Sequence, residues 1–178
     1  VSFNNLNVLD FQMYLLKTML PPQNLLLPAL DKLGCTVEDM HTKFEAVDRS
    51  TKLVQALQGN FRFILEEVLV GRVDAPDGET FEYQIPLWPQ FLFHMSFDPS
   101  GEYVTRAEFV RCEEYSSEEG VNPWNFLEMD IVNAFENIND LDEWGHYQTY
   151  RAQGRNGGDL NYLRFAWGLL QEIELVES

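Results

Sequence analysis

The chain is poor in cysteine, poor in positive charge and without a long apolar run. Its two cysteines, Cys35 and Cys112, cannot make a disulfide framework, so free, buried thiols of a cytosolic protein are expected. The longest apolar runs, such as Leu25 to Leu27, fall far short of the eighteen or so residues that a membrane span needs. No basic segment leads into an apolar one near the start, so no secretory leader is expected. Gly154, Gly157 and Gly158 stand near a possible helix start but lack the lysine of a phosphate-binding loop. No Gly-x-Ser-x-Gly elbow occurs, and Asn137 to Glu143 lacks the glycine and spacing of a calcium loop. These absences remove the familiar catalytic and cofactor motifs, and no cofactor is expected.

Positive charge is scarcest where the chain is most acidic. Twenty-nine acids stand against twelve bases, a formal net charge of −17. Eleven of those seventeen excess charges fall in the last third, from Glu113 onward. Between Glu113 and Tyr150 there are ten acids and no lysine or arginine. Such a field disfavours direct binding to a phosphate backbone, which rests on cationic side chains. It favours basic proteins or metal ions as partners.

What is present is enough for a core. Apolar residues make up 45% and aromatics 13% of 178 residues, which excludes disorder and suits a single domain over residues 1–178. The pattern predicts an α+β fold, with an antiparallel meander of about four strands over roughly residues 68–112 between N-terminal and C-terminal helices. Leu9, Met13, Leu16 and Leu20 recur at helical spacing until Pro21 and Pro22 stop the first helix. A second helix is expected from Leu25 to Leu33, capped by Asn24, with Pro28 in its first turn and Gly34 after its end. Thr36 with Asp39 opens a third. Residues 61–67 fit helix or strand, with strand from Val68. Phe91, Phe93, Met95 and Phe97 alternate with Leu92, His94 and Ser96, and a further alternating run ends near Val110. Asn122 and Pro123 then signal a helix over 122–138, Asp140 another over 140–153, and Asp159 a last one with the stripe Leu163, Ala166, Trp167, Leu170 and Ile173.

Capping gives Asp140 and Glu143 a structural duty in this reading. The acids left without one are Glu118, Glu119, Glu128, Asp130, Glu136 and Asp142, and Trp144 and Tyr147 are the rings most free to meet a partner. The leading expectation is a non-enzymatic cytoplasmic module that binds a basic partner, in the manner of an inhibitor, an immunity protein or a nucleic-acid mimic. A structural or assembly subunit, as in a viral particle, is the second, with homo-oligomers open to it. A metal-dependent enzyme is the third. It would use two Glu-x-x-His pairs, Glu38 with His41 and Glu143 with His146, which a helix would place on one face. Solvated helix faces account for the same acids without any partner.

Overall fold

A computed structural model describes residues 7–56, 73–74, 80–97, 99, 104–112 and 120–176. Three helices come first: α1 (Val8–Met19), α2 (Gln23–Lys32) and α3 (Val37–Ala56). Asn7 caps α1, its side chain accepting from the amides of Leu9 and Asp10 while Asp10 answers to the Asn7 amide. Thr36 and Asp39 cap α3 in the same reciprocal way, as their spacing predicts. Helix α2 differs from expectation. Pro22, not Asn24, stands at its cap, so Pro28 lies inside the helix, where its ring leaves a carbonyl of the preceding turn without its usual donor.

Strands β1 (Val73–Asp74), β2 (Thr80–Gln84), β3 (Phe91–Phe97) and β4 (Val104–Arg111) form an antiparallel meander in sequence order. This is the expected sheet. The ambiguous residues 61–67 and the strand start at Val68 lie outside the described residues. Alternation along β3 buries Phe91, Phe93 and Met95 and leaves Leu92, His94 and Ser96 half-buried. His94 is held on the outer face by Glu82 and Ser96.

The expected C-terminal helices are replaced by a second sheet. A 3₁₀ turn at Glu128–Asp130 and the single helical turn α4 (Ile131–Ala134) lead into β5 (Phe135–Trp144), β6 (Tyr147–Gly154), β7 (Leu160–Ala166) and β8 (Leu169–Leu175). These again pair antiparallel in sequence order. Two tight turns explain the difference. Trp144 pairs with Tyr147 around Gly145 and His146, and Ala166 pairs with Leu169 around Trp167 and Gly168. Gly145, Trp167 and Gly168 all have positive φ, which two-residue hairpin loops require. The supposed helical stripe is therefore split by a turn. Asn161, Leu163 and Phe165 alternate inward along β7 instead. Asp140, Glu143 and Asp159 cap no helix.

Two apolar clusters result. The larger joins Phe11, Leu15, Leu16 and Met19 of α1 to Phe91, Phe93 and Phe109 of the first sheet and to Trp88 between β2 and β3, and takes in Ala166 and Leu169 of the second sheet. The smaller packs Ala152, Leu163, Phe165 and Leu170 of the second sheet onto Phe126, Ile131 and Phe135. Trp88, between Pro86 and Pro89, is fully buried, and its indole nitrogen has no partner among the described residues. Cys35 and Cys112 are free and half-buried.

The two sheets and α1 meet at the Trp167–Gly168 turn. Phe109 of β4 donates its amide to the Trp167 carbonyl at 2.7 Å, and Glu128 donates its amide to that of Gly168 at 2.9 Å. A side chain on Gly168 would bring its Cβ to 3.3 Å from Cβ of Glu108, at a φ of +72. The last carbonyls of α1 are met from the same region. His146 Nε2 donates to the Thr18 carbonyl at 2.9 Å, and the Tyr147 hydroxyl donates to it too. Arg164 donates to the carbonyls of Met19 and Leu20 at 3.2 and 3.0 Å and pairs with Glu172. A guanidinium there also suits the negative end of the helix dipole.

Replacing Arg164 with methionine keeps the stem and removes these bonds. The expected loss in unfolding free energy is about 2 kcal/mol, read from urea denaturation.

Candidate functional site

The β5–β6 hairpin carries the most exposed acids of the second sheet. Asp140, Leu141, Asp142, Glu143 and Trp144 are exposed one after another. Trp144 keeps 74% of its surface, and its ring lies parallel to that of Tyr147. Among the described residues no cation lies within ion-pair distance of Asp140, Asp142 or Glu143. Gln148 donates to Asp140 at 3.0 Å, a neutral contact that leaves the charge unmet. Pairing with β6 slips between Glu136 and Asn139 and again between Asp140 and Asp142. Bulges and charge together are what sheet edges use to avoid unwanted pairing.

Behind the hairpin lies a cleft of about 490 Å³ between β4, the 3₁₀ turn and the two tight turns. Glu108, Glu128 and Glu143 line it with Arg106, His146, Tyr147 and Trp167. Arg106 pairs with Glu108 at 2.5 Å, so the balance of the cleft is negative. Glu128 accepts from the Tyr150 hydroxyl at 2.7 Å. Burial holds its carboxyl above the usual range, and the charges of Glu108 and Glu143 add to this, while the Tyr150 bond and Arg106 oppose it. Tyr150 is raised in turn, by burial first and then by Glu128. His146 is stacked 4.1 Å from Trp167. Burial lowers its pKa, and its bond to the Thr18 carbonyl partly offsets that.

The acids singled out from the sequence fall in different places. Glu118 and Glu119 lie outside the described residues. Glu128 is in the cleft. Asp130 is bonded to Arg111 of β4 at 2.9 Å, a base that the sequence places far from it. Glu136 stands at the opposite end of β5 from the turn, where it accepts from the Gly157 amide at 3.3 Å. Asp142 and Trp144 are on the exposed hairpin, and Tyr147 is half-buried with its hydroxyl committed to α1. Asp140 and Glu143 belong with Asp142, although capping seemed to account for them. Gly145 at the first position of a two-residue loop is the signal that would have released both.

The Glu-x-x-His pairs do not form helical pairs that converge. Glu38 and His41 are both exposed on α3, whereas Glu143 lies in strand β5 and His146 sits in a turn with Nε2 occupied. Among the described residues no three metal-binding side chains come together.

Two pH effects of opposite sign follow. His146 is lowered, so its contribution to stability is present above its unfolded value near 6.5 and lost as pH falls through the folded one. His146→Gln, which keeps a donor for Thr18, should flatten the decline below that pH. Glu128 is raised, so its contribution is present below its unfolded value near 4.5 and lost as pH rises through the folded one. Glu128→Gln should therefore unfold at higher urea than wild type at pH 7 and at the same urea at pH 3.

No protein-family model, curated protein or solved structure matches the chain.

Proposed function

We propose that the protein is a non-enzymatic acidic binding module for a basic partner protein, acting as an inhibitor, an immunity protein or a nucleic-acid mimic would. The observation that carries this reading is the exposed run Asp140–Trp144. Three carboxylates stand there without an ion-pair partner among the described residues, around a tryptophan that keeps 74% of its surface. Unpaired like charges repel one another, and a base within ion-pair distance would relieve this; among the described residues these three have none. A large ring flanked by charge is the composition of an interface anchor with a polar rim. Glu128 and Glu143 extend the negative field into the cleft. Complementary charge of this kind speeds encounter and selects partners more than it raises affinity.

Binding to an arginine- and lysine-rich peptide tests the reading by calorimetry. Affinity should fall roughly tenfold or more between low and high salt, as screening shortens the reach of exposed charges. The triple variant Asp140→Asn, Asp142→Asn, Glu143→Gln should weaken binding and flatten the salt dependence. Trp144→Ala should weaken binding and leave the salt dependence in place. Affinity that neither salt nor the triple variant changes would overturn the proposal.

A further inference from the structure

Resting on the acidic-module reading, we infer that the outer edge of β5 receives a short, extended basic segment of the partner as an added strand. The sheet order leaves β5 and β8 as its two edges. The start of the β8 edge is taken: the Trp124 amide donates to the Leu170 carbonyl at 2.8 Å, the Leu170 amide to that of Phe126 at 2.9 Å, and Leu127 bridges to Leu169. Among the described residues nothing pairs with the outer edge of β5. Its outward amides and carbonyls need water or another chain.

The geometry says where. A two-residue loop makes Trp144 and Tyr147 a hydrogen-bonded pair. The next pair, Glu143 with Gln148, is then of the other kind, and Glu143 turns its N–H and C=O outward. The slip between Asp140 and Asp142 interrupts the ladder just beyond. The usable edge is thus the few residues nearest the turn, and the added segment is correspondingly short. Side chains on this part of β5 are acidic on both faces. Asp142 and Trp144 point one way and Glu143 the other, by strand alternation.

Charge then decides the occupant. Antiparallel pairing with a second copy would set Asp142 and Glu143 against like charges, which destabilises a strand pair. An apolar strand would desolvate the carboxylates with nothing in return. A strand with lysine or arginine at neighbouring positions places a cation near a carboxylate on each face while its backbone meets Glu143. The same acids that close the edge to copies of the chain open it to a basic strand.

A lysine- and arginine-rich peptide with alternating valine and threonine is the probe, titrated into the isotopically labelled full chain. Two control peptides have the same sequence and are N-methylated at one or the other set of alternate amides, which keeps charge and removes ladder donors. The expected result is that the parent peptide slows exchange of the Glu143 amide, and that one methylated set loses about tenfold or more in affinity while the other binds nearly as well. If all three peptides bind equally, with shifts along Asp140–Trp144, strand addition is overturned and the acidic-module reading stands. If none binds, both fail. If the protein without peptide already dimerises with the Glu143 amide protected, the edge belongs to a second copy and the inference is overturned.

Discussion

Everything in this molecule depends on how the last turn of α1 is satisfied. A helix leaves its final carbonyls without internal donors, and burying that end without partners is costly. Helix α1 is almost wholly buried on one side, with Phe11, Met13, Leu15, Leu16 and Met19 nearly inaccessible. Its end also runs into Leu20, a residue other than glycine at positive φ. Donors come from the second sheet: His146, Tyr147 and Arg164 reach the carbonyls of Thr18 to Leu20, and the indole of Trp167 donates to the Thr18 hydroxyl at 3.0 Å. The apolar half of the interface holds α1 against both sheets, and the polar half sets its end point.

The same donors shape the acidic region. His146 and Tyr147 follow directly after the exposed hairpin residues, so the clamp anchors the turn from which Asp142, Glu143 and Trp144 project. Trp167 stacks on His146 and meets Phe93 edge-on. A charged, solvent-facing edge is thereby mounted on a packed aromatic base. That arrangement suits presentation of fixed charge, since like-charged groups on a yielding support would move apart.

The first half of the fold was legible because its signals agreed with one another. Along β3 the alternation, the neighbouring turn residues and the β-rich composition all point to strand, and Thr36 with Asp39 is a local cap that tertiary contacts need not override. The second half was misread where they conflicted. Glu136 to Glu143 is full of asparagine, aspartate and glutamate, poor strand formers, and its pairing with β6 rather than its own preference makes it a strand. Leu163, Ala166, Trp167, Leu170 and Ile173 fit a helical stripe only if Trp167 and Gly168 continue it. A tryptophan at positive φ is a rare choice for a hairpin turn, and contacts with Thr18, His146 and Phe109 maintain it. For the acidic site, the absence of local bases was visible, whereas Arg111 beside Asp130 and Arg106 beside the cleft are long-range contacts that no local pattern reveals.

The clamp on α1 also bears on the order of assembly. Every hairpin of the second sheet closes between neighbours in sequence, so its loops are short and form readily. The clamp instead joins residues 128 to 149 positions apart. During synthesis α1 leaves the ribosome long before its donors exist, with its last carbonyls facing water and its apolar side uncovered. Only after β7 has emerged can Arg164 and Trp167 reach it. The apolar side of α1 can be covered earlier, by α3 and the first sheet, so it is the polar end of the helix that is fixed last.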